Sequence, residues 1–405
     1  MAKRRIPIWL GVIVAIPVLI FLVVVGLWTF VIATTKPIHP DAQSIATVAD
    51  STSSTDWTST VEQARQIVRA DVAEMNLPGL SVAVGVGGTI VWAEGFGWAD
   101  VENKVKVAPN TPIYIGTASK MLTSAAVGML MEKGELNLDD EIQTHVPAFP
   151  KKQWPVTLRQ LMAHMAGIRR DGGDEEPVRV RCSETLGALP RFADKDLLFE
   201  PGTAYRYSNY GWILVSGAVE AAANEPFPRF MRRQVFEPLG MNDTRSDGGM
   251  GSTDRAVYYF PRFAADTRYG TQGPETVDFS CFPGASAFLS TPSDMVRFVM
   301  ALNSGKVLQP ATVQLLQTSQ RLPTGEETGY GLGWDLETVT LGGQQTRVIG
   351  YDGDLRDGRV SSFMIFPDRD FVVAVMSNMS FADTTSIALK IAEAFAQRTT
   401  SPARK

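Results

Sequence analysis

The sequence predicts an α+β fold, in which helices flank one antiparallel sheet and an all-helical lobe is inserted beside it. Two β-prone runs, 80–86 and 89–96, flank a Gly-Gly pair, which is typical of an antiparallel hairpin. Two further β-prone runs, 360–366 and 371–376, lie near the C-terminus. Between these terminal segments, residues 139–241 read mostly as helices and proline-rich loops. Strands at both ends and helices in the middle favour a sheet with a separate helical lobe.

Helices are predicted around the strands. Apolar residues repeat at intervals of three and four from about residue 59 until Pro78 and Gly79 end the first of these helices. An apolar helix follows Lys120 and stops at Gly134, a residue suited to a left-handed helix end. A last helix is predicted over 385–395.

The N-terminal segment predicts a membrane anchor. Residues 6–35 carry no charge, and this run exceeds the roughly 20 apolar residues that span a bilayer. Lys3, Arg4 and Arg5 precede it, so the positive-inside rule predicts a single-pass N-in/C-out protein whose folded domain is periplasmic or extracellular. The rival is a cleaved signal peptide, but residues 30–33 make a poor cleavage site.

Composition sets the domain boundaries and excludes some partners. We expect a cytoplasmic tip and anchor over 1–35, a flexible linker rich in Ser, Thr, Ala and Asp over 36–58, one folded domain over 59–398, and a disordered tail over 399–405. The net charge is -5 and no basic stripe is visible, so no nucleic-acid partner is expected.

The cysteines and histidines are few. In an oxidising compartment, Cys182 and Cys281 could form a disulfide or remain two buried thiols, and the sequence leaves both alternatives open. The three histidines are scattered, so neither a metal site nor a cofactor is expected. His164 is the one candidate imidazole base, although its apolar surroundings favour a packed, hydrogen-bonded histidine.

The stretch from Thr117 to Lys120 carries the chemistry. Positions i and i+3 share a helix face, so the Lys120 amine can lie beside the Thr117 hydroxyl and accept its proton if the lysine pKa is lowered. A hydroxyl three residues before a lysine at a helix start is one way to activate a nucleophile. Ser119 is a poor substitute, because it lies about 200° from Thr117 around the helix.

Together with Tyr207-Ser208-Asn209, this stretch resembles the first two motifs of the serine β-lactamase, DD-peptidase and esterase superfamily, in its class C-like branch. The phrases 161–167, 238–241, 289–294 and 329–334 resemble the family too. The resemblance covers roughly 77–395 and implies a β-lactamase/transpeptidase-like fold. It also implies roles for individual residues: Thr117 as nucleophile in place of serine, Lys120 and Tyr207 as proton relay, Asn209 as a positioning residue, and the N–H groups of Thr117 and Asp354 as oxyanion hole.

The third family motif, usually Lys-Thr-Gly or His-Thr-Gly, aligns with Tyr351-Asp352-Gly353, where only the glycine remains. A residue without Cβ would let this strand approach the reacting carbonyl. Asp352 and Asp354 would place negative charge where the family holds a substrate carboxylate. We therefore expect Tyr351, Asp352, Gly353 and Asp354 to border the substrate, and expect no binding of β-lactams or peptidoglycan stems in the family manner.

Two functions compete. The first is a membrane-anchored, extracytoplasmic hydrolase that cleaves an ester or amide of a small molecule or peptide through an acyl-enzyme on Thr117. The methyl of threonine stiffens χ1, which makes this nucleophile unusual. The alternative is a catalytically silent binding or assembly protein in which Thr117 only caps a helix. A purely structural scaffold would show a sealed cleft.

Overall fold

The structure is a computed structural model that describes residues 8–50, 55–169, 181–247, 254–356 and 358–399. The described α-helices are α1 (Ile8–Thr34), α2 (Thr58–Glu74), α3 (Ser119–Glu132), α4 (Leu158–Met162), α5 (Asn209–Ala223), α6 (Phe227–Met231), α7 (Pro292–Asn303), α8 (Pro310–Leu316) and α9 (Thr384–Thr399). The described strands are β1 (Thr47–Ala49), β2 (Gly79–Val86), β3 (Thr89–Asp100), β4 (Val105–Lys106), β5 (Ile113–Tyr114), β6 (Arg245–Ser246), β7 (Tyr258–Pro261), β8 (Thr271–Glu275), β9 (Phe288–Ser290), β10 (Asp335–Leu341), β11 (Gln344–Leu355), β12 (Gly358–Phe366) and β13 (Phe371–Ser377).

The main sheet joins the two ends of the chain. Its strand order is β1-β3-β2-β13-β12-β11-β10, with β4 paired to β3, and every pairing is antiparallel. The predicted N-terminal hairpin is β2–β3, and the predicted C-terminal strands are β12 and β13. They meet where β2 pairs with β13, with Ala83 opposite Ala374. The predicted antiparallel sheet is confirmed.

Alternation along the strands divides the core into two layers. Val82 and Val84 of β2 face a cluster formed with α2 and α9, whereas Ala83 faces the cluster on the other side of the sheet. Successive side chains of a strand point to opposite faces, so a strand buried on both sides reads as a continuous apolar run. This explains why β2 and β13 lack a polar face.

The predicted helical lobe is also confirmed. Helices α3 to α6 follow one another between β5 and β9, and their apolar residues share one core with one face of the main sheet. Helix α3 is buried almost all around, from Ser119 to Gly128. An apolar helix without a polar face belongs inside a protein, and α3 accordingly lies between sheet and lobe.

The prediction of a flexible linker is wrong over residues 36–50. His39 is buried, with its Nε2 atom 3.0 Å from the carbonyl oxygen of Leu77. Strand β1 pairs with β3, with Thr47 opposite Phe96. The segment is held mainly through backbone hydrogen bonds and edge pairing, which require no apolar period. Residues 51–54 of the predicted linker and 400–405 of the predicted tail lie outside the described residues.

The sequence did not predict β10 and β11. Strand β10 lies at the sheet edge and exposes several polar side chains, so its composition gives little β signal. Strand β11 is twelve residues long and carries Tyr351 to Asp354 at its C-terminal end. The altered third motif therefore lies on a strand, as the resemblance implied.

Cys182 and Cys281 form a disulfide, which decides between the two alternatives that the sequence left open. Their Cα atoms are 4.9 Å apart, and the bond joins positions 99 residues apart in the chain. It links the segment that follows residue 180 to the segment that precedes β9. A loop this long loses much conformational freedom in the unfolded chain when it is closed.

We expect the Cys182→Ser/Cys281→Ser double variant to lower the free energy of unfolding by about 2–5 kcal/mol, since loop-closure entropy returns to the unfolded state. Denaturant unfolding of the purified protein measures this change. The wild type in reductant should unfold like the variant, and the variant should not respond to reductant. Equal midpoints for variant and oxidised wild type would contradict the prediction.

Candidate active site

A close crossing of two chain segments forms the site. A 3-10 turn, Gly116–Ala118, leads into α3 and passes directly against β11. Gly116 has φ +58°, and a Cβ there would lie 2.6 Å from the carbonyl oxygen of Asp354. A Cβ on Gly353 would lie 2.0 Å from the carbonyl oxygen of Ile115. Neither position has room for a side chain.

This packing corrects the reason given for Gly353. The resemblance predicts that its missing Cβ makes room for a reacting carbonyl. In the structure, the space is occupied by the backbone that precedes Thr117 and by the Ser361 hydroxyl. Gly353 therefore places β11 against the predicted nucleophile's own turn.

Lys120 lies at the centre of the site and is fully buried. Its Nζ atom donates to the Tyr207 hydroxyl at 2.7 Å, to Asn209 Oδ1 at 2.6 Å and to the Ala285 carbonyl at 3.2 Å. The Tyr207 hydroxyl donates in turn to Asn209 Oδ1 at 3.0 Å. An ammonium group has three protons to donate, so three acceptors suit a charged Lys120. The structure thus brings together Lys120, Tyr207 and Asn209.

Thr117 is also buried, but its hydroxyl faces β11. Oγ1 accepts a hydrogen bond from the Asp354 N–H at 2.9 Å and lies 3.4 Å from the Asp352 carbonyl oxygen. Within the described residues, none of its hydrogen bonds goes to Lys120. The hydroxyl thus takes up the Asp354 N–H, one of the two donors that the resemblance gives to the oxyanion of a substrate.

The other hydroxyl of the motif has a structural role. Ser119 Oγ donates to the Gly116 carbonyl at 2.7 Å and accepts from the Phe288 N–H at 3.3 Å. These bonds fix the turn before α3 to β9. The alternative in which Thr117 caps a helix is wrong, since its side chain bonds to β11 and α3 has no side-chain cap.

The wall beyond Thr117 is acidic and is partly neutralised. Arg359 lies 2.9 Å from Asp352 and 3.6 Å from Asp354. Burial raises the pKa of Asp354, and the charge of Asp352 acts in the same direction, whereas Arg359 opposes them. The neighbouring Arg356 pairs at 2.6 Å with Glu275 of β8. One arginine beside two carboxylates leaves the wall acidic.

Aromatic rings surround the lysine cluster. The Tyr330 hydroxyl donates to the Tyr351 hydroxyl at 3.1 Å, and both rings are buried. His164 packs 4.4 Å from the Tyr207 ring, and its Nδ1 accepts from the Ser208 N–H at 3.2 Å. Burial, aided by the charge of Lys120, holds the pKa of His164 well below its usual range. The predicted packed, hydrogen-bonded histidine is confirmed.

Sequence reasoning missed Asp335. Burial raises the pKa of this carboxyl to about 7, and the charges of Asp352 and Glu337 act in the same direction. The Asp352 N–H donates to the Asp335 side chain. Asp335 thus bonds to the residue whose carbonyl faces Thr117. Its position directly after the 329–334 phrase was the available signal.

The cleft is nearly closed. Among the described residues, Thr117, Asn209 and Asp354 border a cavity of about 10 Å³, together with Phe279, Phe282, Ser286, Leu355 and Arg356. A space of this size holds one water at most. Two long segments of the chain, 169–196 and 247–283, lie partly outside the described residues.

Comparison with known proteins identifies the family. The profile of the Beta-lactamase family matches residues 64–396, most of the chain. The chain belongs to the Beta-lactamase family. It is 24% identical to the mitochondrial serine beta-lactamase-like protein LACTB of Homo sapiens, over 83% of this chain and 79% of that protein.

Solved structures of other proteins have the same fold as this chain. An octameric penicillin-binding protein homologue from Pyrococcus abyssi superposes with a TM-score of 0.69 at 23% identity, over 81% of this chain and 76% of that one. The D-amino acid amidase from Ochrobactrum anthropi, solved with L-phenylalanine amide, gives a TM-score of 0.70 at 23% identity, over 85% and 100%. The α+β fold implied by the resemblance is confirmed.

The raised pKa of Asp335 makes the free energy of unfolding depend on pH. Its folded pKa, about 7, lies above the ordinary value of 3.8, so between these values the folded protein holds more protons than the unfolded chain. The contribution of Asp335 to stability is therefore lost as pH rises from about 4 to 7. Asp335→Asn keeps an acceptor for the Asp352 N–H and carries no charge.

We expect Asp335→Asn to be more stable than the wild type at pH 8, by a margin that shrinks towards pH 4. Thermal unfolding across this pH range measures the margin. Glu135→Gln, an exposed carboxylate just after α3, serves as the matched control. A constant difference between Asp335→Asn and the wild type across the range would rule out titration of Asp335 as the cause.

Proposed function

We propose that this family member is a membrane-anchored hydrolase that cleaves an ester or amide through an acyl-enzyme on Thr117. The observation that carries the proposal is the buried Lys120 ammonium, held between Tyr207 and Asn209 one helical turn from Thr117. Burying a charge is costly unless it is fully paired. A cluster that serves only stability could use apolar residues instead.

The proposed first step requires a rotation of Thr117. Rotation about χ1 withdraws Oγ1 from the Asp354 N–H and turns it towards a substrate carbonyl. The N–H groups of Thr117 and Asp354 then accept the carbonyl oxygen as it becomes an oxyanion. Before this step Tyr207 gives up its own hydroxyl proton to solvent, and the phenolate oxygen, which accepts a hydrogen bond from the Lys120 ammonium, receives the Thr117 hydroxyl proton.

Bond making and breaking follow the ordinary acyl-transfer order. The Thr117 Oγ1–carbon bond forms, and the proton passes through Tyr207 to the leaving alcohol or amine as its bond to the carbonyl carbon breaks. Water then attacks the acyl-enzyme, gives up a proton by the same route, and releases the acid and Thr117. Besides the substrate and this water, the chain's own residues supply every group in the sequence.

The acidic wall limits the substrate class. A small molecule or peptide that presents a carboxylate to Asp352 and Asp354 would meet like charge. We therefore propose an acyl substrate that lacks a carboxylate at this position, in contrast to β-lactams and peptidoglycan stems. The amidase relative, whose structure holds an amino acid amide, is a protein of this fold with such a ligand.

We also propose a location. Helix α1 contains a segment, Ile16–Thr34, long and apolar enough to cross a membrane. The preceding basic residues favour N-in/C-out insertion. The disulfide supports an oxidising compartment for the domain, such as the periplasm or the cell exterior.

A silent binding or assembly protein is the second candidate. Two observations favour it, namely the Thr117 hydroxyl on the Asp354 N–H and the small volume beside it. In that case the family cleft would be kept without turnover. The two candidates differ in whether Thr117 can leave its present partner.

The Thr117→Ser variant distinguishes the hydrolase from the silent binding protein. Serine lacks the methyl that stiffens χ1, and a strained rotamer costs about 0.5–1.5 kcal/mol, so we expect hydrolysis of a p-nitrophenyl ester to rise by up to about tenfold. Thr117→Ala should abolish hydrolysis, and Tyr207→Phe should slow it by about 10²–10⁴. Initial rates with the purified full chain measure all three.

Ser119→Ala is the control for the effect of losing a hydroxyl from this turn. Ser119→Ala removes the neighbouring hydroxyl but leaves Thr117 and Lys120, so it should retain turnover if it folds. Wild-type hydrolysis that survives Thr117→Ala would refute the nucleophile. Hydrolysis by Thr117→Ser from an inactive wild type would instead favour the silent protein.

A further inference from the structure

The end of α1 is fixed to the domain by the β7–β8 hairpin. Arg262, which follows β7, donates through Nη2 to the Val31 carbonyl at 2.7 Å and through Nη1 to the Thr34 carbonyl at 3.4 Å. Nη2 also donates to Thr35 Oγ1 at 3.1 Å. A cation that bonds the last carbonyls of a helix satisfies them and complements the helix dipole. Arg262 therefore caps α1 from the folded domain.

Further contacts surround this cap. Trp28 Nε1 donates to the Tyr269 hydroxyl at 3.4 Å. Asn76, just after α2, accepts from the Ile38 N–H at 2.7 Å and donates to the carbonyls of Lys36 and Arg268, both at 3.4 Å. The chain that leaves α1 is therefore bonded at once to the body of the domain and to the hairpin. No spacer separates the helix from the domain.

The length of α1 sets the depth of these contacts. Its 27 residues extend about 40 Å, whereas the hydrocarbon core is about 30 Å thick. About 10 Å of the helix therefore lies in the headgroup layers. Trp28 precedes the helix end by six residues, or about 9 Å along the axis. Placing this excess on the outer side of the bilayer sets the contacts of Trp28, Val31 and Thr34 in the outer headgroup layer.

The turn of the hairpin has the composition of an interfacial surface. Phe263 and Tyr269 are only partly buried and pack edge to face, with ring centroids 5.8 Å apart. Ala264 and Ala265 are exposed between them. Aromatic rings beside arginines are typical of the membrane–water boundary. Lys36, Arg262 and Arg268 outnumber the two nearby carboxylates, Glu74 and Asp266, and Asp266 pairs with Arg268 at 2.7 Å. The remaining positive charge favours anionic headgroups.

We propose that the turn 262–270 of the β7–β8 hairpin lies in the headgroup layer as a second membrane contact beside α1, and that its partner is an anionic phospholipid surface. This inference rests on the proposed membrane anchoring. It also orients the active site. The Arg356 guanidinium stacks 4.4 Å from the Phe260 ring of β7 and pairs with Glu275 of β8, and Arg356 borders the cavity at Thr117. The hairpin thus connects the bilayer contact to the edge of the cleft.

Spin labels on the full chain test the proposal. The two native cysteines form a disulfide, so one introduced cysteine gives a single labelling site. We would place labels at Ala265→Cys in the turn, at Gly26→Cys in α1, where a Cβ meets nothing within 4 Å, and at the exposed Glu135→Cys in the helical lobe. The chain is reconstituted in nanodiscs of phosphatidylcholine with phosphatidylglycerol. Collision rates with oxygen, which partitions into lipid, and with a water-soluble nickel chelate report the depth of each label.

We expect the ratio of oxygen to nickel collisions to be highest at Gly26 and several-fold higher at Ala265 than at Glu135. The ratio at Ala265 should fall when phosphatidylglycerol is omitted. If Gly26 lies in lipid but Ala265 matches Glu135, this inference is overturned and the membrane anchor stands. If Gly26 itself is open to the nickel chelate, α1 does not span the bilayer, and both the anchor and the hairpin contact are wrong.

Discussion

The buried ammonium of Lys120 is the interaction on which the rest of the site depends. Its three acceptors come from three places in the chain: Tyr207 before α5, Asn209 at the start of α5, and the Ala285 carbonyl before β9. Loss of any of them would leave a buried charge partly unpaired, at a cost of several kcal/mol. The lysine therefore fixes the helical lobe and the segment before β9 around α3, while the disulfide fixes that same segment to residue 182.

A second constraint is the contact of β11 with the turn before α3. Gly116 and Gly353 allow two backbones to touch, and this contact sets the Asp354 N–H against Thr117 Oγ1. The same amide that could stabilise an oxyanion now holds the hydroxyl of the proposed nucleophile. The threonine methyl and the acidic side chains of Asp352 and Asp354 both lie where β11 meets the turn before α3. Catalysis then depends on how readily a stiff side chain leaves a good hydrogen bond.

Much of this could be predicted from the sequence, because the informative patterns are local. The spacing of apolar residues predicts α2 and α3. The Gly-Gly pair predicts the β2–β3 hairpin, and continuous apolar runs predict β12 and β13. The proposed roles of Thr117, Lys120, Tyr207 and Asn209 rest on spacing and resemblance, and the structure brings the last three together. Contacts between distant residues could not be predicted. Asp335 is partly buried and is bonded by Asp352 of β11, β1 is formed only by pairing with β3, and the partner of the Thr117 hydroxyl lies 237 positions away.

The most direct test of Thr117 as an activated nucleophile is peptide mapping of the full chain after exposure to a fluorophosphonate probe. We expect one covalent adduct on the peptide that carries Thr117, absent from Thr117→Ala. An adduct on Ser119, or one that persists in Thr117→Ala, would contradict it. A wild-type chain that stays unmodified while Thr117→Ser is labelled would show that the resting hydrogen bond to Asp354 prevails and that the native protein does not turn over.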